Sequence, residues 1–239
     1  MTTDPEDPEW LVFPAELPVT NFGAQVGCRA NFNAEAGGGR FLGPAEETSY
    51  FRFRALLPTR AVVPGQEALR QRMVTALDAL VPDVGGGGEV KLRDYFDHVY
   101  LAYKKLLGQE PTNLAKPKAN GGKIVVYVAS CDGTTNDAFA EGSGWIFLTV
   151  GLGLEDPVFR RVALPHELFH VFQYSYELSV DADSGWPEEA MAVAIEDTVA
   201  PGVRRWSGKY AKHSNLPPRA GAPMDRSVKC PEEPLHTVY

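Results

Sequence analysis

The stretch that most constrains this chain is Val162-Ala163-Leu164-Pro165-His166-Glu167-Leu168-Phe169-His170-Val171-Phe172. Its flanks are apolar enough to demand burial as a helix, yet it carries two histidines and a glutamate. Residues four apart share one helical face, one turn above the other, so the His166 and His170 imidazoles meet on the same side. A buried helix holds such groups only if something compensates their polarity. Whatever fold forms must bring a partner to that face.

A metal ion supplies that compensation directly. Two imidazoles at this spacing reach a single zinc, and Glu167 between them is placed to take a proton from water on the metal. A catalytic zinc has three protein ligands and one open position, so a third ligand is expected further along. The segment Gly185-Trp186-Pro187-Glu188-Glu189-Ala190-Met191-Ala192-Val193-Ala194-Ile195-Glu196 offers it. Proline and two acids near its start suit the first turn of a helix. Eighteen residues separate His170 from Glu189.

Taken together, the HExxH element and the Trp186, Glu189, Ala190, Ala192 pattern resemble the gluzincins, most closely their aminopeptidase-N-like branch. The resemblance spans His166 to Glu196. It implies that His166, His170 and Glu189 hold Zn2+, that Glu167 is the general base, and that the reaction is hydrolysis of peptide bonds. Metzincins would place Gly at 173 and His at 176, where this chain has Gln173 and Tyr176; that class is excluded. Glu188 is the rival third ligand, one position and about 100° around the helix from Glu189. Similar proteins carry a glutamate at the position of Glu196 that buttresses a ligand histidine, a role suited to an imidazole whose second nitrogen needs an acceptor. A plain surface acid is the alternative there. Gluzincins stabilise the oxyanion with a Tyr or His beyond the third ligand, which points to Tyr210 and His213; Tyr174 and Tyr176 read as packing residues. The Gly-x-Met-Glu-Asn type element that binds a free amine in the aminopeptidase branch is not found, since Gly142-Ser143-Gly144-Trp145 stands in its neighbourhood. Endopeptidase and aminopeptidase action therefore both stay open.

The remaining pattern gives an α+β expectation: a zincin-like catalytic domain with a small mixed sheet on a backing helix and an active-site helix, and a short helical lower subdomain. Tyr50 to Arg54 alternates in part, as a half-exposed strand does. Leu69, Met73, Ala76, Leu77 and Leu80 recur at helical spacing after Pro64-Gly65, and Gly85 to Gly88 reads as a linker. Leu92, Tyr95, Phe96, Val99, Tyr100, Tyr103, Leu106 and Leu107 form the strongest helical stripe, stopped by Gly108; aromatic residues at this spacing are core. Residues 123–129 and 145–151 read as buried strands. Zincins hold extended substrates along an edge strand, so Trp145 to Val150 is either that strand or a central one. A helix follows from Val158 to Tyr176, with Pro165 kinking it or restarting it before His166.

The division expected is an N-terminal segment over 1–60, a pro-region or an extension of the sheet, and a zincin-like metallopeptidase domain over 61–239. Hydrophobic content of 44% with 23% charged residues suits a soluble globular chain. A formal net charge of −8 argues against nucleic acid or anionic membrane as a partner, and no apolar run is long enough to span a bilayer. The expected partner is a peptide or protein substrate; oligomeric state is not legible. The acidic, proline-rich start has no signal-peptide pattern, leaving a cytoplasmic protein or a secreted one whose signal has been removed. Cys28, Cys131 and Cys230 form no CxxC pair, which rules out a cysteine-based zinc ribbon. Three alternatives accompany the peptidase reading: a latent zymogen, in which Cys28 could plug the zinc; a catalytically silent binding module on the same scaffold; and a zinc hydrolase acting on something other than a peptide.

Overall fold

The computed structural model describes residues 10–11, 32, 39–58, 68–130, 138–157, 159–176 and 186–200, apart from the side chains of 10, 11, 85, 152, 186–189 and 197. Strands β1 (Trp10–Leu11), β2 (Gly39–Phe41), β3 (Glu46–Glu47) and β4 (Phe51–Pro58) come first, followed by helix α1 (Leu69–Leu77). Strands β5 (Leu80–Pro82) and β6 (Glu89–Lys91) make a separate hairpin leading into α2 (Leu92–Leu107). After the short α3 (Ala115–Ala119) come β7 (Ile124–Ala129), β8 (Ala138–Glu141) and β9 (Trp145–Thr149), then α4 (Ala163–Ser175) and α5 (Trp186–Val199). The protein is mixed α+β.

The main sheet runs β1-β2-β4-β7-β9-β8, with β3 pairing on β4. Its centre is parallel: β4 pairs β7 from Phe51↔Ile124, and β7 pairs β9 from Val125↔Trp145. The flanks are antiparallel, β2 on one side and β8 on the other. Alternation along the strands separates two layers of core. Phe51, Phe53, Ala55, Ile124, Val126, Val128, Ile146 and Leu148 face the helices. Leu56, Val125, Tyr127, Ala129, Trp145 and Phe147 face the other way and pack with Phe32, Phe41 and Phe139. Because both faces are covered, β7 is buried at every residue and reads as an unbroken apolar run.

Several expectations change here. β4 is a central strand rather than a half-exposed one: only Arg52 and Arg54 along it are partly exposed, and Ala55 to Pro58 are all buried. Trp145 to Thr149 is likewise central, paired on both sides, so among the described residues the sheet ends on β8 instead. Leu80 leaves the α1 stripe for β5 and is 57% exposed, and Leu106 on α2 is 58% exposed. The 85–88 glycines are the turn of the β5–β6 hairpin, closed by Asp83 N–H donating to the Gly88 carbonyl at 2.9 Å. Gly86 and Gly88 there adopt φ of 79° and 116°, left-handed backbone that glycine supplies without a Cβ penalty. This is a tight turn, not a link between domains, since α1 and α2 on either side share one core.

α2 follows its expected stripe through Tyr103, and Gly108 ends it at φ 74°. Its tyrosines brace the approach to α4. Tyr95 donates its hydroxyl to the Arg161 carbonyl at 2.8 Å, and Tyr103 donates to the Pro165 carbonyl at 3.0 Å. At the other end of α4, Gln109 and Asn113 both donate to the Ser175 carbonyl, at 2.6 and 3.0 Å. β9 passes into a single π-helical turn, Val150–Glu155, which Arg72 of α1 grips through two bonds to the Glu155 carboxylate at 2.6 and 2.8 Å.

Candidate metal centre

The segment read as one helix from Val158 is two pieces, a 3-10 turn at Phe159–Arg161 and then α4 from Ala163. Asp156 accepts from the Phe159 N–H at 2.8 Å and starts the first piece. Pro165 is the third residue of α4, where a backbone N–H would have no partner within the helix, so its ring costs nothing there and produces no kink. The first full turn closes with His166 N–H donating to the Val162 carbonyl at 2.9 Å. From Leu164 to Gln173 every α4 side chain is buried.

Burial extends to the polar residues: His166 and Glu167 are 5% exposed and His170 is 4%. The rings of His166 and His170 lie 4.9 Å apart, centre to centre, and their Nε2 atoms face each other at 3.2 Å. Each ring turns its Nδ1 outward to an oxygen. His166 Nδ1 lies 2.7 Å from Glu196 Oε1, and His170 Nδ1 lies 2.8 Å from Gln173 Oε1. A carboxylate or an amide oxygen only accepts, so Nδ1 is the donor in both rings. The neutral tautomer of each imidazole then carries its lone pair on Nε2.

This donor set fits a metal. Two nitrogens bound at about 2.0–2.1 Å to one tetrahedral zinc stand about 3.3 Å apart, close to the 3.2 Å observed. Outward Nδ1–H groups held by acceptors are also what fixes the tautomer of metal-ligating histidines. Among the described residues no three His, Cys, Asp or Glu side chains form a complete metal-holding group. Glu189, the third ligand expected from the sequence, and its rival Glu188 lie in α5, but their side chains are outside the described residues.

Glu196 is 3% exposed, deep in the same interior. It comes from α5, thirty residues beyond His166, so its bond to that ring ties the two helices together. Gln173 was not singled out from the sequence as a site residue, although its position three after His170 placed it on the same face of α4. Tyr103, fully enclosed between α2 and α4, has its phenol pushed well above the ordinary value by burial, with Tyr95 and the Glu196 charge adding to the effect. Tyr174 stacks on His170 with centroids 6.4 Å apart, and Tyr176 bonds the Leu107 carbonyl. Tyr210 and His213, expected to stabilise the oxyanion, lie outside the described residues, as do Cys28, Cys131 and Cys230.

No protein-family model, curated protein or solved structure matches the chain. None of the helices among the described residues is long and apolar enough to cross a membrane.

Proposed function

We propose that this protein is a zinc-dependent peptidase of the gluzincin kind, built on a zincin-like domain. The observation that carries the reading is the imidazole pair, Nε2 to Nε2 at 3.2 Å with each Nδ1 held by an oxygen acceptor. His166, His170 and Glu189 would hold the metal. When bound, zinc supplies Lewis acidity towards water and towards a scissile carbonyl.

The chain's own groups supply the rest. Glu167, buried next to His166 on α4, accepts a proton from the attacking water and passes it to the leaving amine. Glu196 keeps the His166 ring oriented through its 2.7 Å bond. Tyr210 and His213 remain the residues proposed for the oxyanion. The substrate strand moves from the position first expected: β8 ends the described sheet, lies antiparallel to β9 and is only half-buried at all four residues. α4 packs against both β8 and β9. An extended peptide added along β8 would pair through its backbone and tolerate varied side chains.

Metal content of purified wild type, His166→Ala and Glu189→Ala, followed by digestion of a peptide mixture with Glu167→Gln as control, tests the proposal. The expected result is about one zinc in wild type, marked loss in both ligand variants, and a Glu167→Gln protein that keeps zinc without cutting. Wild type that takes up no zinc in excess metal refutes it. A zinc-loaded wild type as inert as Glu167→Gln instead supports a silent binding module, and activity appearing only after removal of a terminal segment supports the zymogen.

A further inference from the structure

The two imidazoles are held by different chemistry. His166 leans on a carboxylate from another helix, whereas His170 leans on the neutral amide of Gln173, from its own helix. Side chains in a helix tilt back towards its N-terminus, so Gln173 reaches over the turn that carries His170. Its Oε1 sits 2.8 Å from Nδ1. Gln173 is 5% exposed and follows the buried Val171 and Phe172 on α4. A glutamine confined there gives up side-chain freedom and hydration, and the bond to His170 is one return visible in the structure.

We propose that Gln173 is a positioning residue of the metal centre, which fixes the proton of His170 on Nδ1 and turns Nε2 towards the metal. The inference rests on the zinc reading above and assigns a residue that reading does not use. The contact to His170 comes from its own helix, whereas the contact to His166 comes from α5. Because the acceptor is neutral, it orients the ring without adding a further negative charge to an interior that already buries Glu167 and Glu196. A carboxylate at 173 would still orient the ring and would make it a more basic ligand. It would also offset part of the metal's positive charge, and with it the acidity the metal lends to water.

The test is zinc affinity, measured by competition with a chromophoric chelator, for wild type, Gln173→Met and Gln173→Glu. Nitrogen-15 NMR of the histidine side chains in metal-free wild type accompanies it, with the His170 signals assigned by their loss in His170→Asn. The expected spectrum has the His170 proton on Nδ1. Gln173→Met should weaken zinc binding about 10- to 100-fold, the range usual for such supporting residues. Gln173→Glu should bind at least as tightly as wild type while its kcat falls. A glutamine that only fills space would leave the tautomer and the Gln173→Glu affinity unrelated to each other. A His170 proton on Nε2 overturns the proposal, as does a Gln173→Glu protein that binds zinc no better than Gln173→Met. If Gln173→Met does not fold, the wild-type spectrum and Gln173→Glu still decide. Failure of wild type to bind zinc at all is a different result, which removes the zinc reading and this inference with it, whereas the outcomes above overturn the role of Gln173 alone.

Discussion

Raising the pH on wild type and Tyr103→Phe together probes how α2 supports the centre. Tyr95, Tyr100, Tyr103 and Tyr127 are all but inaccessible, and burial pushes each phenol above its ordinary value. In the unfolded chain these groups lose their protons near pH 10. Above that pH the unfolded state binds fewer protons than the native state, so stability falls as pH rises. Each fully shifted phenol contributes a slope of about 1.4 kcal/mol per pH unit, and four together about 5.5 kcal/mol per unit. Tyr103→Phe removes one of the four. At pH 8 it should be less stable than wild type by about 1 kcal/mol, for the lost bond from the hydroxyl to the Pro165 carbonyl. Above pH 10 the gap should narrow by up to about 1.4 kcal/mol per unit and change sign near pH 11. Urea unfolding at half-unit steps from pH 8 to pH 11 measures both curves. Parallel curves through the alkaline range would refute the claim that Tyr103 stays protonated in the folded protein.

Other outcomes are equally specific. Gly144→Ala should cost about 2–4 kcal/mol, because a Cβ there would meet Pro117 Cδ at 2.7 Å and Leu114 Cβ at 2.9 Å on a backbone with φ of 95°. Gly108→Ala, with φ of 74° and nothing within 4 Å, should cost only about 1 kcal/mol; equal losses in thermal unfolding would contradict this contrast. Asp97→Ala should lose about 2 kcal/mol in urea, since that carboxylate accepts from the Thr48 hydroxyl at 2.6 Å and the Ser49 N–H at 3.0 Å and so pins the turn before β4. Glu196→Ala should weaken zinc binding about 10- to 100-fold in chelator competition, and an unchanged affinity would leave Glu196 a structural acid only.

Local pattern foretold the elements whose evidence is local. The α2 stripe, its glycine stop and the start of α5 at Trp186 all follow from spacing and end signals. The misreadings share one cause, that a period says nothing of which neighbours will arrive. Leu80 continues the α1 rhythm from Leu77, but Asp78 and Ala79 turn the chain and send Leu80 into a hairpin. Leu106 keeps the α2 rhythm but is exposed, while Leu107 beside it packs on the core. Whether the 145–149 strand sits at the edge depends on β7 and β8 pairing with it, which no window around Trp145 contains. At the centre, the spacing of His166 and His170 predicts a shared face, and the structure brings the rings together. Glu196 was legible only through family resemblance, because its contact spans thirty residues and two helices. Gln173 needed no long-range knowledge, only the question of what each imidazole does with its second nitrogen.

The parallel pairing of β4 with β7 sets an order in time. Phe51 lies beside Ile124, seventy-three positions later, so α1, the β5–β6 hairpin and α2 must all be spooled out before the middle of the sheet can close. Loop-closure entropy makes such distant pairing slow relative to helix formation. During synthesis the imidazole-bearing α4 follows β7, β8 and β9 out of the ribosome. Glu196 arrives last, on α5. The two histidines therefore gain their supports at different moments, His170 as soon as its own helix winds and His166 only when the next helix docks.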